Sequence, residues 1–246
     1  MQNMHTPPPS SRFATRPLYL QVRDVLAERI ASHAWKPSTV IPNEGDLARE
    51  FGVSSGTMRK ALDLLEAERL LTRRQGRGTY VNDQASADLS TRYTKIWGLK
   101  GEHITGDISL VRSEETEANE AECLRLRLKP SDRVHRVQRV RAYKGEAFLV
   151  EDIALPAHLF PGVAGRKETP PRIVSLAQEF GILLGKCEER VYVGTAAADV
   201  AQRLNLAPDA PVLVLDRVIF DLDGRPVEWR LGRGNFVGKY YLAEFA

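Results

Sequence analysis

Apolar residues recur at helical spacing three times in the first third of this 246-residue chain. Leu18, Val22, Val25, Leu26 and Ile30 predict one helix from Pro17 to about Ala34, with Arg23, Asp24, Glu28 and Arg29 on its polar side. Trp35-Lys36-Pro37 ends it, because proline disfavours a helical residue before it, and Val40-Ile41-Pro42 reads as an extended link. Asn43 suits an N-cap, and Glu44 and Asp46 place carboxylates in the first turn of a second helix, where its dipole favours them. Leu47, Ala48 and Phe51 face inward, Gly52 supplies a left-handed stop, and Val53 plugs the turn. Ser54 caps a third helix, whose stripe of Met58, Ala61, Leu62 and Leu65 leaves Ser55, Gly56, Arg59, Lys60 and Asp63 outside.

The period then changes from helix to strand. Leu71-Thr72-Arg73-Arg74 and Thr79-Tyr80-Val81 predict a hairpin around Gln75-Gly76-Arg77-Gly78. Residues 83–92 are small and polar without an apolar period, and read as a linker between a domain at 17–82 and another at 93–246. The second region repeats itself. Leu126, Leu128, Pro130, Val134, Arg139 and Val140 align with Leu204, Leu206, Pro208, Val212, Arg217 and Val218. Each copy predicts a short helix (Glu117–Leu126, Ala197–Leu204), a turn at proline, a long strand and a glycine hairpin (Tyr143 to Glu146, Leu222 to Arg225) into another strand. A further helix at 171–181 and strand at 183–194 lie between the copies. Two such units predict an antiparallel sheet with helices packed on it, so the whole is a two-domain α+β chain.

Composition narrows the function classes. Residues 1–16 are rich in proline and serine and read as a disordered tail with no apolar signal core. Cys123 and Cys187 form neither a disulfide framework nor a metal motif, and the five histidines are scattered. No catalytic constellation, metal site or cofactor is expected, and no membrane span. The expected location is the cytoplasm. Residues 1–82 hold 12 Lys/Arg against 8 Asp/Glu, whereas residues 83–246 hold 23 against 24. The basic excess therefore sits on the first region, which suits a polyanionic partner.

Helix, tight turn, helix and basic hairpin form the layout of a winged helix-turn-helix, which places one helix in a DNA major groove. Small residues such as Ser55 and Gly56 let the third helix approach the groove floor. The hydroxyls of Ser54, Ser55 and Thr57, with the amides at the helix start, suit phosphate oxygens. Arg59 can reach a base edge, and Lys60 shares its face. Arg73 and Arg74 would lie near phosphates, and Arg77 between Gly76 and Gly78 makes a tip thin enough for a minor groove, where negative potential favours arginine. The helix alone could equally be a solvated face; the hairpin after it tips the reading towards double-stranded operator DNA.

Residues 17–81 resemble the DNA-binding domain of GntR-family bacterial transcription regulators. The resemblance is carried by PLYLQV, IPNEGDLAREFGVS, TMRKALDLLEAERLL and RRQGRGTYV. It implies contacts by Ser54, Thr57, Arg59, Gln75, Gly76 and Arg77. Family members typically carry an arginine in the second helix and another early in the recognition helix; Gly45 and Ser55 stand there instead.

In the second region, Arg139 and Arg141 alternate along RVQRVRAYKG and point to one side of a strand, with Glu151 returning across the hairpin. Two guanidiniums on one face can clamp a carboxylate or phosphate, and the glutamate can accept from hydroxyls or an amine; cross-strand ion pairs on an exposed face are the alternative. Residues 104–240 look like a UTRA effector-binding domain, a chorismate-lyase-like fold of the HutC subfamily, through RVQRVRAYKGEAFLVEDIALP and APDAPVLVLDRVIFDLDGRPVEW. The resemblance implies an effector site at Arg139, Arg141, Glu151 and Glu228. Pro171 and Ile173 replace the serine and tyrosine of sugar-phosphate binders, and the serine–phenylalanine motif of those binders is not evident around Ile104 to Asp107. The expected effector is accordingly an organic acid, an amino acid or a related small anion rather than a sugar phosphate.

The leading reading is a homodimeric, ligand-responsive transcriptional regulator, a repressor in sense. A chorismate-lyase-like enzyme and a DNA-binding dimer that has lost its ligand are the alternatives.

Overall fold

A computed structural model describes residues 16–86, 89, 91–163, 166 and 172–243. Residues 1–15 of the expected tail, and Pro171, lie outside these. The chain divides into two compact units between Asn82 and Asp83.

The first unit contains α1 (Leu18–Ala31), α2 (Glu44–Phe51), α3 (Ser55–Ala67), β1 (Leu71–Arg74) and β2 (Gly78–Val81). The Asn43 side chain accepts the Asp46 amide, Gly52 takes φ 62°, and Ser54 accepts the Thr57 amide, so the expected caps fix both ends of the turn. Leu26, Leu47, Met58 and Leu65 are fully buried between the helices. Leu71 pairs with Val81, and both are buried, which anchors the hairpin to this core.

Two expectations for α1 are corrected. It stops at Ala31, where the Ser32 hydroxyl donates to the Glu28 carbonyl and His33 turns left-handed. Its inward stripe is also rotated: Leu18 and Val25 are about half exposed, whereas Arg23 is buried with Val22, Leu26, Ala27 and Ile30. The Arg23 Nε donates to Glu68 just beyond α3 at 3.0 Å, and its Nη1 donates to Asp24 at 2.9 Å. A paired guanidinium thus fills a position that an apolar period assigns to the polar side.

The second unit runs β3 (Ile96–Gly98), β4 (Asp107–Glu117), α4 (Glu120–Leu126), β5 (Arg133–Tyr143), β6 (Glu146–Pro156), α5 (Ile173–Glu179), β7 (Leu184–Thr195), α6 (Ala198–Arg203), β8 (Pro211–Asp221), β9 (Pro226–Gly234) and β10 (Lys239–Tyr241). Six strands form one antiparallel sheet in the order β4-β5-β6-β9-β8-β7, and β3 pairs with β10. The internal repeat is visible in this order: each half is strand, helix, strand, strand, and the halves meet where Asp152 pairs with Leu231. α4 begins at Glu120 rather than Glu117 because β4 continues through Glu117 and a capping box between Asn119 and Glu122 starts the helix.

The segment expected as a linker is not a bare tether in its described part. Gln84 is buried, the Ala85 amide donates to Gln178 of α5, and Gln178 donates to Asp83. One sheet face carries α4 and α6 over Val134, Ala154, Val150 and Val214. The other carries α5 and the 157–163 segment over Val137, Ile153, Leu155 and Ile219. That second face also holds the charged groups described next.

Candidate DNA-contacting surface and buried arginine cluster

The exposed side of the first unit gathers the expected DNA-contacting residues. Ser54, Ser55, Gly56, Arg59 and Lys60 are exposed and Thr57 is half-buried at its edge, while the wing exposes everything from Arg73 to Gly78. Several of these side chains already have partners. Ser54 spends its oxygen on the cap and shares a 2.9 Å hydrogen bond with the Thr57 hydroxyl. The Arg59 Nε and Nη2 both donate to Glu44 of α2, at 3.2 and 3.0 Å, so the arginine is oriented across the two helices rather than loose in solvent. Arg73 is held between Asp63 and Glu66 at 2.6 and 2.7 Å, and Arg74 lies over the Tyr80 ring at 4.7 Å. Arg77 sits at the tip, where its amide donates to the Arg74 carbonyl and its side chain forms no ion pair among the described residues.

The second unit brings Arg139, Arg141, Glu151 and Glu228 onto one sheet face, as the alternation predicts. Arg139 stands directly opposite Glu151, and its Nε donates to the carboxylate at 2.6 Å. The Arg141 Nε donates to the same oxygen at 2.9 Å, and its Nη1 donates to the Thr105 carbonyl. Three strands after β6 in sequence but next to it in the sheet, Arg230 of β9 bridges Glu151 and Glu228, at 2.9 and 2.8 Å. Arg217 of β8 pairs with Glu189 of β7 at 2.7 Å, and Tyr241 donates its hydroxyl to Glu189. The two arginines expected to clamp a ligand thus grip an internal carboxylate.

A narrow cleft opens on this cluster. Arg141, Glu151, Glu189, Arg217 and Arg230 line it from the sheet, and residues Tyr93 to Ile96 line the side across from it. Gly232, directly opposite Glu151 on β9, contributes no side chain and leaves the gap. Water-sized molecules find about 10 Å³ for their centres there, room for about one water. Arg139 and Glu228 belong to the network behind the lining. Arg230, Arg217 and Glu189 are the members missed from sequence. Arg217 was within reach, since the repeat aligns it with Arg139; Arg230 alternates with Glu228 along one strand.

Four guanidiniums here face three carboxylates, all buried or nearly so. Burial raises the pKa of Glu151, but Arg139, Arg141 and Arg230 outweigh it and hold the carboxylate well below its ordinary range. Burial pushes Arg139 down, and pushes Arg141 down to about 10, despite the attraction of Glu151. Arg230 goes the other way, because Glu151 and Glu228 together outweigh its burial. Within this cluster three buried polar atoms have no protein partner: Nη2 of Arg139, Nε of Arg230 and Oε1 of Glu228. The cluster is short of negative charge and retains both a donor and an acceptor to offer. Among the described residues no group of His, Cys, Asp and Glu is placed to hold a metal ion, and no helix is long and apolar enough to cross a membrane.

Residues 18–81 match the family of bacterial regulatory proteins called gntR, and residues 104–235 match the UTRA domain. The mannosyl-D-glycerate transport/metabolism system repressor MngR of Escherichia coli K12 is 27% identical over 215 residues, spanning 87% of this chain and 90% of its own. The transcriptional regulator GmuR of Bacillus subtilis is 26% identical over 221 residues, spanning 87% and 92%. In fold, the second unit is similar to the ligand-binding domain of a GntR-family regulator from Bordetella bronchiseptica, with a TM-score of 0.57 at 20% identity, covering 63% of this chain and 98% of that one. PhnF of Mycobacterium smegmatis gives 0.51 at 22% identity, covering 87% and 94%. With a helix-turn-helix unit followed by a UTRA unit over most of its length, this chain belongs to the GntR family of bacterial regulatory proteins and is a DNA-binding transcriptional regulator.

Proposed function

We propose that this regulator is a homodimeric repressor whose operator affinity is set by a small anionic effector held at Arg139, Arg141, Glu151 and Glu228, with Arg217 and Arg230. The observation that supports an anion is the surplus guanidinium in a buried cluster. An uncompensated buried charge is costly, and a ligand carboxylate arriving there removes that cost while replacing its own hydration with fixed donors. The unpartnered Oε1 of Glu228, in the same cluster as the unpartnered Nη2 of Arg139, favours an effector that also carries a donor, such as an amino or hydroxy acid. A ligand of that size needs more room than the cleft has, so binding is coupled to rearrangement of its walls. The effector acts on DNA only if it binds the released and operator-bound arrangements with different affinity.

On the DNA side, α3 enters the major groove with Arg59 at a base edge, and the wing brings Arg77 to the neighbouring minor groove. The Glu44 carboxylate competes with DNA for Arg59 and aims it meanwhile. A paired experiment tests both halves. Operator fragments recovered from cells are titrated against wild type, Arg59→Ala and Arg139→Ala, with and without a library of small carboxylic acids. Arg59→Ala is expected to lose operator preference by on the order of tenfold or more, with its folding intact. Arg139→Ala is expected to keep operator binding and ignore the acid that releases wild type. Wild-type operator preference in the first, or normal release in the second, refutes the corresponding half.

A further inference from the structure

A second cavity lies on the sheet face opposite the arginine cluster. Strand alternation places it there: Gln138 precedes Arg139 on β5, Asp152 follows Glu151 on β6, and Trp229, Leu231 and Arg233 alternate with Arg230 on β9, so these side chains point away from the cluster. The cavity sits where the two helix-covered parts of this face meet. Ala154 and Trp229 of its lining pack with α4, and Leu231 packs with α6. Its volume is about 360 Å³, against about 10 Å³ for the cleft at the cluster. That falls within the range of small-molecule sites, roughly 300–1,000 Å³.

The lining divides into an apolar floor and a cationic rim. Trp229 donates its indole N–H to Asp216 at 2.8 Å, so the ring has no polar atom left to satisfy and serves with Ala154 and Leu231 as apolar surface. Both carboxylates at the cavity are held by neighbours. Asp152 accepts from Gln138 at 2.9 Å and from Arg233 at 2.6 Å, and Glu122 accepts from Arg136 at 2.7 Å through each of its oxygens. Donors are left over. Arg233 keeps Nε and Nη2 without a hydrogen bond among the described residues, and Arg112 makes none there, with Glu114 at 3.7 Å. We infer that this cavity is a second small-molecule site, and that it takes an aromatic carboxylate. The ring covers the floor of Trp229, Ala154 and Leu231, and the carboxylate meets the free N–H groups of Arg233 and Arg112. A bare anion leaves the apolar floor wet and an uncharged ring leaves the guanidiniums unpaired, so the site selects a ligand that carries both. It shares no lining side chain with the arginine cluster, and stands whatever ligand that cluster holds.

Titration of naphthoate into the isotope-labelled full chain tests this, read at the indole N–H resonances of its three tryptophans. Trp229→Phe assigns the resonance that matters. In wild type the Trp229 signal is expected to move saturably, while those of Trp35 and of Trp97, which follows the wall of the other cleft, stay in place. Naphthylmethanol, with the ring and no charge, and acetate, with the charge and no ring, are each expected to bind about tenfold more weakly or worse. Arg233→Gln is expected to weaken naphthoate by about tenfold. Arg112→Ala, an exposed position without a hydrogen bond to lose, is expected to weaken it several-fold with the spectrum of the free protein otherwise unchanged. A Trp229 resonance that stays put up to the solubility limit of naphthoate, a shift at Trp97 alone, or full affinity in both arginine variants would overturn the site. Acetate or naphthylmethanol binding as tightly as naphthoate would overturn the ligand class.

Discussion

Glu151 is the residue on which the second unit turns. It accepts from Arg139, Arg141 and Arg230 while almost fully buried, so removing its charge takes the carboxylate from Arg139 and Arg141 and leaves Arg230 with Glu228 alone, in a low-dielectric interior. Glu151→Gln, equal in size, is expected to lower unfolding free energy by about 3–5 kcal/mol, measured by denaturant titration. Millimolar concentrations of small carboxylates should restore part of that loss. The pH dependence follows from the same contacts. The folded carboxylate titrates below its unfolded value, so its contribution is complete above the ordinary carboxylate range and disappears as pH falls towards the depressed value. Wild type should therefore lose stability between about pH 5 and 2 more steeply than Glu151→Gln. Parallel acid titrations would show that this carboxylate does not carry the dependence.

At the scale of elements, the wing and α1 illustrate two kinds of constraint. The wing depends on backbone geometry. Gly78 holds φ 101°, and a Cβ there would come within 3.0 Å of a Val40 methyl. Gly78→Ala is therefore expected to distort the hairpin and weaken operator binding several-fold, while leaving effector binding to the second unit unchanged; a band-shift titration beside an effector titration checks this. α1 depends on a side chain in an unexpected place. Arg23→Ala leaves Glu68 and the buried surface of α1 without their cation, at a cost of about 1–3 kcal/mol. In calorimetry this should lower the melting of the first unit by several degrees and leave that of the second where it was. Equal shifts in both transitions would show that the two units do not unfold independently.

At the scale of the whole molecule, caps, turns and the wing were legible in the sequence because each is decided within a few residues. Asn43, Gly52 and Ser54 act on backbone groups three or four positions away, and a hairpin turn is chosen by its own glycines. The repeat was legible too, since two copies of one pattern must build two copies of one unit. The order of strands in the sheet was not. Glu151 and Arg230 are 79 positions apart and became partners only because β6 and β9 meet at the centre of the sheet. Arg217 and Glu189 likewise came together through β8 and β7.

By itself, then, the sequence determined the local elements, the two-unit plan and the face on which Arg139, Arg141, Glu151 and Glu228 would lie, because strand alternation and helix periodicity are properties of neighbours. Only the tertiary structure decided that the two arginines hold an internal glutamate, that Arg23 turns inward and that Arg59 leans on Glu44. The physical reason is that charge compensation acts through space. A buried guanidinium takes whichever carboxylate the fold delivers, and no pattern along the chain records which one that is.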